Sequence, residues 1–466
     1  FDIDNNLRNE TMFSLANGTI GMRGNFEEGL KNCPEKSVEG NYINGFYESE
    51  PIRYGEIAYG YAQNSQTMLN VANGKKIRLI IGDEELDLTK GKLSDYRRTL
   101  DMKEACLARG FVYTTPKGKS LKIHIRRLVS LTEKHIAIIR YEVTPLDFNG
   151  RIRFISSVDG DVKNIDAGND PRVGSGLHGQ VLSVKEKFVD PCWIGLRQKT
   201  KNTGFSLACA ACHKISAPGG CSATTAENPL EVGMIYDIDA TKGTAIVLEK
   251  FISYVTSREC DENRLLADAG ERAKSALSKG FDFFCRQQAN FMSDFWRRAD
   301  VEINGDTAMQ QGIRVNLFHL LQSTGRDGLT SIASKGLTGE GYEGHYFWDT
   351  EIYILPFFLY SFPEISRKLL EYRYSILDSA RQRARQMSHP KGALYPWRTI
   401  GGEECSAYYP AGTAQYHINA DIAYATRQYM QATQDDDFLI RYGAEMLFET
   451  ARLWADLGDF IEGRGN

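Results

Sequence analysis

The spacing of apolar residues along this chain changes its period once, close to residue 260. Up to about residue 258, short stretches alternate apolar and polar residues, as in half-buried β-strands. From about residue 262, apolar residues recur every three to four positions, as on one face of an α-helix. We therefore predict a β region followed by an α region, and not the alternating strands and helices of a parallel sheet.

The first region has the pattern of an antiparallel β-sandwich. Its alternating stretches are separated by turn-forming clusters such as Pro116-Lys-Gly118 and Asp147-Phe-Asn-Gly150, as is typical of many short antiparallel strands. The alternating stretches are 74–82, 119–128, 135–143, 151–158 and 244–255. We predict a large N-terminal antiparallel β-sandwich, a super-sandwich, over residues 1–258.

The second region is predicted to consist of helices joined by short connections. Ser361-Phe-Pro363 and Thr433-Gln-Asp-Asp436 supply capping residues between neighbouring helices. The predicted helices cover 263–279, 281–298, 306–323, 363–387, 417–432 and 436–457. We predict a helical linker over residues 259–305 and helical hairpins over residues 306–466.

The overall composition narrows the class of function. Lys plus Arg is 56 and Asp plus Glu is 60, for a net charge of −4, whereas nucleic-acid-binding proteins usually carry a basic excess. The chain contains no apolar stretch of about 18 residues or more, so no membrane-spanning helix is expected. Its 9 cysteines are scattered and odd in number, which indicates a reduced, cytoplasmic protein.

Two strings match known motifs but fit a strand context better. Cys209-Ala-Ala-Cys212-His213 matches a haem-attachment string, yet it lies in 204–215, which reads as a strand, and no second ligand pair follows at zinc spacing. Asn17-Gly-Thr-Ile-Gly-Met-Arg-Gly-Asn25 lacks the strand-then-helix context of a nucleotide site. We therefore predict neither haem, metal nor nucleotide, and interpret the glycines as turn residues between strands.

The strongest local signal for function is a glycine-rich loop, 335–351, that leads into a predicted helix and contains Trp348-Asp349. An indole ring can cover the apolar C–H face of a sugar while a neighbouring carboxylate accepts hydrogen bonds from its hydroxyls. The alternative is a capped helix start, with Asp349 in the first turn and Trp348 in the core. On the residues alone, the two interpretations stand equal.

A second loop, 395–417, has the same chemistry and also precedes a predicted helix. It contains Trp397, Arg398, Glu403 and Glu404, followed by several tyrosines. The alternative is a surface loop in which Arg398 offsets the charges of the two glutamates. Two such loops before two helices favour a sugar-binding cleft more strongly than either loop does alone.

Five segments spread through nearly the whole chain form one collinear set. They are Ala16-Asn-Gly-Thr-Ile-Gly-Met-Arg-Gly-Asn-Phe-Glu-Glu-Gly29, Gly344-His-Tyr-Phe-Trp-Asp-Thr-Glu351, Leu355-Pro-Phe-Phe358, His417-Ile-Asn-Ala-Asp-Ile-Ala-Tyr424 and 442–452. As a set they resemble glycoside hydrolase family 65, the inverting α-glucoside phosphorylases. The resemblance implies a β-sandwich, a helical linker, an (α/α)6 barrel and a small C-terminal sheet domain, with residues 306–466 as the first part of the barrel.

The resemblance implies an enzyme that carries out reversible phosphorolysis of an α-linked glucosyl disaccharide, giving β-glucose 1-phosphate and a free acceptor. Phosphate replaces water as the nucleophile of an inverting reaction and, being anionic, needs no general base. Trp348 and Asp349 would hold the glucosyl unit in the donor subsite. The loop from Trp397 to Gln415 would border the acceptor subsite, and its candidate substrate-binding residues are Trp397, Arg398, Glu403, Glu404, Thr413 and Gln415.

The resemblance also sets the expected ligands. Inorganic phosphate is a co-substrate, no cofactor or metal is expected, and the partners are the sugar and phosphate, with a homodimer as a candidate assembly. The sequences 406–417 and Pro396-Trp397-Arg398 differ from those of maltose-, trehalose- and kojibiose-type members. The difference favours an α-1,3-linked, nigerose-like substrate, while glucosylglycerol and glucosylrhamnose are further candidates.

One departure from the family pattern concerns the general acid. The family carries it in a Gly-Pro-Asp-Glu-Tyr motif, which does not occur in residues 1–466. We expect the acid and the phosphate-binding residues after Asn466, so this chain alone should lack phosphorolytic activity. If it were active, the candidate acids would be Glu340, Glu343, Glu351, Glu403 and Glu404. The alternatives are an α-glucoside hydrolase on the same scaffold and a non-catalytic carbohydrate-binding protein.

Overall fold

The computed structural model describes residues 1–165, 177, 179–407, 412, 415–458 and 463. Strands fill most of the chain up to residue 256, and helices follow from residue 265 onward. The change from strand to helix predicted from the hydrophobic period is confirmed. The division into domains at 1–258, 259–305 and 306–466 stays a prediction.

Within the described residues, the strands pair antiparallel and form three sheets. Their bounds are β1 Leu15–Ala16, β2 Ile20–Met22, β3 Asn41–Pro51, β4 Asn64–Asn70, β5 Ile77–Ile81, β6 Glu84–Glu85, β7 Lys92–Asp101, β8 Cys106–Thr114, β9 Ser120–Val129, β10 Ile136–Pro145, β11 Gly150–Asp159, β12 Ser183–Asp190, β13 Trp193–Lys199, β14 Ser206–Ser216, β15 Cys221–Glu227, β16 Glu231–Ala240 and β17 Ile246–Thr256. A 4-stranded sheet has the order β1-β2-β3-β4, an 8-stranded sheet the order β12-β13-β14-β17-β10-β9-β8-β7, and a 5-stranded sheet the order β15-β16-β11-β5-β6.

The 8-stranded and 5-stranded sheets pack face to face around the main core. Along β9, Ile123 and Ile125 are buried, whereas His124 between them is exposed. From β10, the ring of Tyr141 meets the ring of Phe154 on β11 edge to face, with 5.6 Å between the ring centroids. Because burial of one face fixes the register of each strand, the alternation seen in the sequence specifies this packing. The predicted β-sandwich is confirmed.

The helices are connected by short segments. Their bounds are α1 Asn6–Met12, α2 Leu265–Lys279, α3 Phe281–Ala299, α4 Thr307–Ser323, α5 Leu355–Ser361, α6 Pro363–Ser375, α7 Leu377–Gln386, α8 His417–Thr433, α9 Asp436–Phe438 and α10 Ala444–Leu457. Helix α8 packs against α6, and α10 packs against α7 and α8. Within the described part of the chain, no helix combines the length and apolar character that crossing a lipid bilayer requires.

Two predicted helices are interrupted. The stretch 363–387 divides at Ile376, where the Ser375 hydroxyl donates to the Tyr372 carbonyl and the Ile376 amide turns to Tyr374 instead. Such a side-chain contact competes with the helical hydrogen bond. The stretch 436–457 contains a π-helical turn, Leu439–Gly443, between α9 and α10. The spacing of apolar residues does not reveal either break, because a single turn of altered geometry leaves that spacing almost unchanged.

The cysteine string lies on β14, as its strand pattern predicts. Cys209 faces the core between the sheets, whereas Cys212 faces α2 on the outer side of the 8-stranded sheet. Residues three apart on a strand point to opposite faces, so these two thiols cannot converge on one metal ion. His213 instead hydrogen-bonds the Ser156 hydroxyl through Nε2 at 2.8 Å.

The β1–β2 hairpin docks tightly onto the segment that follows α4. Gly18 has φ +82°, and a Cβ there would lie 2.0 Å from the carbonyl oxygen of Thr324. At Gly21, a Cβ would lie 2.0 Å from the carbonyl oxygen of Leu337. The prediction of turn glycines in 17–25 is confirmed for Gly18, and Gly21 is needed because another backbone approaches closely.

Candidate active site

A cleft of about 1010 Å³ lies between α4, the loop 332–338 and the segment 342–354. Its rim includes the end of α1 and Trp397 from the second predicted loop. Among the rings that line it are Tyr342, Phe347 and Trp397, which are called the aromatic wall below. The two loops that the sequence singled out therefore meet at one cleft.

Asp349 points its exposed side chain into this cleft at the start of a π-helical turn, Thr350–Ile354. Among the residues that the structure describes, no backbone N–H is capped by the Asp349 carboxylate. The capping alternative is therefore not supported by a hydrogen bond. Across the described lining of the cleft, Asp349 is the one carboxylate.

Trp348 is half-buried beside the start of α8. The ring of His417 meets the indole edge to face, with 5.0 Å between the ring centroids. His417 Nδ1 lies 2.8 Å from an Asp421 carboxylate oxygen, and its Nε2 lies 2.8 Å from Gln415 Oε1. Two predicted site residues, Trp348 and Gln415, are thus brought together through His417, which sequence reasoning left out of the site.

Trp397 joins the two predicted loops. Its ring meets the ring of Phe347 edge to face at 5.9 Å between centroids. Its backbone N–H donates to Glu404 at 2.6 Å. Trp397 therefore lines the cleft with one side and anchors its own loop with its backbone.

The other polar residues of the second loop lie away from the cleft surface. Arg398 is 1% exposed and Glu404 is 7% exposed, so the surface-loop interpretation is wrong for both. Glu404 accepts a second backbone hydrogen bond, from Ser406 at 2.9 Å, and burial raises the pKa of its carboxyl group. Glu403 is exposed and lines a small pocket of about 40 Å³ beside Arg383. Thr413 lies outside the described residues.

Three glutamates were candidate acids in the glycine-rich loop. Glu351 is buried against Arg373, and Glu343 is buried against Arg398. Glu340 is half-buried, accepts hydrogen bonds from the Tyr42 hydroxyl and the backbone N–H of Ile165, and has its pKa raised to about 7 by burial. The cleft lining that the structure describes includes none of the three.

Strand β4 supplies contacts that sequence reasoning missed. Gln66 Oε1 accepts from the backbone N–H groups of Ile400 and Gly401, each at 2.8 Å. The Thr67 hydroxyl donates to Glu343 at 3.2 Å. Gln66 and its contact His345 are 279 residues apart in sequence, and a local pattern carries no signal for such a partner.

Two family models match this chain. The model of the N-terminal domain of glycosyl hydrolase family 65 matches residues 1–295. The model of the central catalytic domain of the same family matches residues 314–466. The matches cover both the β region and the helical region.

Curated relatives match along the whole chain. An α,α-trehalose phosphorylase of Thermoanaerobacter brockii is 53% identical over 466 residues, which is 100% of this chain and 60% of the relative. An α,α-trehalose phosphorylase of Geobacillus stearothermophilus is 43% identical over 99% of this chain and 60% of the relative. A kojibiose phosphorylase of Thermoanaerobacter brockii is 32% identical, again over 99% and 60%. The chain thus spans about 60% of the length of these relatives.

A solved structure has the same fold. It is a protein from the human microbiome, provisionally assigned as a kojibiose phosphorylase, that is 28% identical in sequence and superposes with a TM-score of 0.88. The superposition covers 99% of this chain and 59% of that chain.

Proposed function

Because the chain belongs to glycosyl hydrolase family 65, we propose that the full-length protein is a disaccharide phosphorylase. The proposed reaction is reversible, inverting phosphorolysis of an α-linked glucosyl disaccharide to β-glucose 1-phosphate and a free sugar. Inorganic phosphate is the co-substrate, and no further cofactor takes part. The phosphorylases among its relatives support the reaction type.

One observation carries the proposal for the site: the single described carboxylate of the cleft lies next to an aromatic wall. Rings that cover C–H faces and a charged acceptor for hydroxyls are the two elements of sugar recognition. Pockets for small ligands commonly have volumes of about 300–1,000 Å³, and a cleft of about 1010 Å³ gives a disaccharide enough room. We assign Trp348 and Asp349 to the donor glucosyl unit; Asp349 lines the cleft, whereas the described lining does not include Trp348, which packs against the core beside it.

The chemistry needs a proton donor for the leaving sugar oxygen, while phosphate attacks the opposite face of the ring. Phosphate is already anionic, so the attack requires no general base. Asp349 acts in binding, where its charge stabilises the hydroxyls as the ring flattens towards an oxocarbenium-like state. We assign proton donation to none of the described carboxylates.

The second loop borders the acceptor sugar in this proposal. Trp397 contributes its ring at the cleft. Gln415 contacts His417, whose ring packs against Trp348. Arg398, Glu403, Glu404 and Thr413 complete the proposed acceptor loop. The buried Arg398 and Glu404 act by holding the loop, since neither presents its side chain to the cleft surface.

The choice of disaccharide is the finer part of the proposal. The relative with 53% identity is a trehalose phosphorylase, and the one with 32% identity is a kojibiose phosphorylase. We therefore place trehalose first among the substrates to test and kojibiose second. The α-1,3 preference drawn from the loop sequence stays a prediction.

The test is phosphorolysis by the full-length protein on trehalose, kojibiose and nigerose, with and without phosphate. We expect glucose 1-phosphate to form from one of them and cleavage to stop in phosphate-free buffer. Equal release of glucose without phosphate would identify a hydrolase on the same scaffold. Binding of these sugars without cleavage under either condition would identify a carbohydrate-binding protein.

We also propose a reducing, cytoplasmic location. Each of the 9 cysteines is free in the structure, including the buried Cys106, Cys209, Cys212 and Cys405. Proteins of oxidising compartments use dense, paired cysteines instead. Titration of free thiols in the purified, unreduced protein tests the proposal, and fewer than nine would contradict it.

A further inference from the structure

A chain of buried polar contacts runs behind the aromatic wall. The Gln66 carbonyl oxygen contacts His345 Nε2, and His345 Nδ1 lies 3.1 Å from Arg398 Nε. Arg398 Nη2 lies 3.5 Å from Glu343 Oε2, and Glu343 Oε1 accepts from the Thr67 hydroxyl at 3.2 Å. Each of these residues is at most 4% exposed. The contacts tie both cleft loops to strand β4.

The contacts of His345 fix its protonation state. Arg398 Nε carries a hydrogen and can only donate, so His345 Nδ1 must accept. The Gln66 carbonyl can only accept, so His345 Nε2 must carry the hydrogen. The neutral Nε2–H tautomer alone satisfies both, and burial together with the Arg398 charge lowers the pKa of His345 to about 4. Arg398 is therefore held by a neutral acceptor on one side and by Glu343 on the other.

The turn that carries Glu343 has an unusual backbone. Tyr342, Glu343 and Gly344 are all left-handed, with φ values of 52°, 58° and 75°. Glycine is required at position 344, since a Cβ there would lie 2.5 Å from Met68 Cβ. Two consecutive non-glycine residues stay in this region only where the surroundings over-determine them. The turn directs Tyr342 to the cleft and Glu343 to the interior.

Arg398 also contacts the rings of the wall from behind. Its guanidinium carbon lies 5.8 Å from the ring centroid of Tyr342 and 5.5 Å from that of Phe347. Phe347 in turn meets Trp397 edge to face. This one guanidinium therefore contacts two rings of the wall directly and the third, Trp397, through Phe347.

We propose that Glu343 and Arg398 are positioning residues for sugar recognition. Without touching the substrate, they set Tyr342, Phe347 and Trp397 at the spacing that admits the preferred disaccharide. The inference rests on the proposed function and deepens it, because it names what fixes the aromatic wall. Arg398 thereby affects which acceptor sugar is preferred by holding the rings that line the cleft, without contacting the sugar.

The test uses Arg398→Lys and Glu343→Gln in the full-length protein. Lysine keeps the charge but lacks the planar fork that spans His345 and Glu343, and glutamine keeps the shape but removes the charge. We expect the KM for the preferred disaccharide to rise roughly tenfold in each variant, while the KM for phosphate changes less than about twofold. The near-UV circular dichroism of the tryptophans should weaken in parallel.

The matched control breaks a buried ion pair far from the cleft. Glu28→Gln removes one of the two buried carboxylates that pair with Arg109 inside the β-sandwich, the other being Glu27. This variant should lose thermal stability but keep the parent KM and near-UV spectrum. If the Arg398 and Glu343 variants behave like the control, their role is only structural and the proposal is overturned.

A double variant shows whether Arg398 and Glu343 act through their shared contact or have two independent roles. If both residues act through the same contact, the KM of the double variant Arg398→Lys/Glu343→Gln should lie within about twofold of the higher of the two single-variant KM values. Multiplied effects would overturn the proposal. Should Arg398→Lys fail to fold, Glu343→Gln decides alone by its KM and spectrum.

The outcome for the proposed function is read separately. If the parent cleaves no disaccharide, that function fails, and binding of trehalose and kojibiose is then followed by tryptophan fluorescence. Weaker binding in both variants than in Glu28→Gln still supports positioning of the wall. Binding equal to that of the parent overturns it.

Discussion

Arg373 and Glu351 form a two-point ion pair, in which Nε and Nη2 of the guanidinium each lie 2.7 Å from a carboxylate oxygen. Both side chains are 0% exposed. Glu351 belongs to the π-helical turn Thr350–Ile354 that follows Asp349. A carboxylate engaged in this way cannot give a proton to a sugar in the cleft, so Glu351 contributes to the structure of the site and not to its chemistry.

Replacing Glu351 by glutamine should destabilise the protein strongly. The change leaves the Arg373 charge buried without its carboxylate, and removing one partner of a buried pair costs about 3–5 kcal/mol. The free energy of unfolding from urea titration measures the loss. Glu104→Gln, which removes an exposed partner of Arg126, should cost less than about 1 kcal/mol. A loss at Glu351 as small as at Glu104 would contradict the prediction.

Replacing Asp349 by asparagine should affect catalysis and spare stability. A hydrogen bond to a charged acceptor contributes about 1.5–3 kcal/mol. The bonds from the hydroxyls of the glucosyl unit to the Asp349 carboxylate should strengthen as the sugar ring flattens towards the transition state. We expect kcat/KM of the full-length protein to fall roughly 10- to 1,000-fold, with kcat and KM both affected and Tm nearly unchanged.

Asp378→Asn is the control for Asp349→Asn, because Asp378 is an exposed carboxylate on α7 whose ion-pair partner, within the described part of the chain, is Arg381. It should leave kcat/KM as in the parent. If Asp349→Asn is equally active, Asp349 does not bind the donor sugar. If it loses stability instead of activity, the capping interpretation regains support.

If the acceptor sugar extends from the cleft to the small pocket that Glu403 lines, replacing Glu403 by glutamine should change which sugar leaves more than whether the bond breaks. A site that hydrogen-bonds a hydroxyl discriminates against analogues lacking it, because its own groups are then left unpaired. We expect the ratio of kcat/KM between trehalose and kojibiose to shift by roughly tenfold. Glu104→Gln serves again as the control, and an unchanged ratio would remove Glu403 from the acceptor loop.

Stability should fall in mildly acidic solution because of His345. Its pKa of about 4 in the folded protein lies below the ordinary value of 6.5, so between these values the unfolded chain binds more protons. The stability that neutral His345 provides is complete above about pH 6.5 and is lost as the pH falls towards 4. From pH 7 to pH 5, we expect the free energy of unfolding to drop by about 2 kcal/mol from this group.

The measurement is urea unfolding at both pH values for the parent and for His345→Gln. Glutamine cannot titrate, so the free energy of unfolding of His345→Gln should vary less with pH, by the amount that His345 contributes in the parent. Equal slopes in the two proteins would show that His345 does not titrate between folded and unfolded states as described.

The order of strands and helices could be predicted from the sequence because the buried face of each strand or helix carries apolar residues at that element's own spacing. Ile123 and Ile125 alternate with exposed neighbours along β9, and the pattern is visible without knowing what covers them. The sequence pattern does not predict the breaks at Ile376 and at Leu439–Gly443, because one turn of altered geometry leaves the hydrophobic period of the flanking helices almost unchanged.

The site was only partly predictable for a related reason. Trp348, Asp349 and Trp397 stand out by residue type, and the structure brings Asp349 and Trp397 to the same cleft. The burial of Arg398 could not be foreseen, because an arginine near two glutamates looks like a surface residue until its partner in the other loop is known. Gln66 carries no local signal, since its contacts lie more than 270 residues further along the chain.

Those contacts of Gln66 have a practical consequence for engineering. Its carbonyl holds His345 and its side chain holds the backbone at Ile400 and Gly401, so one residue of the β-sandwich braces both cleft loops. The cleft is therefore not a detachable module of the helical region. Loops exchanged between homologous enzymes to alter specificity should be transplanted together with strand β4, because a residue at position 66 without a side-chain amide would leave the grafted backbone at positions 400 and 401 without its acceptor.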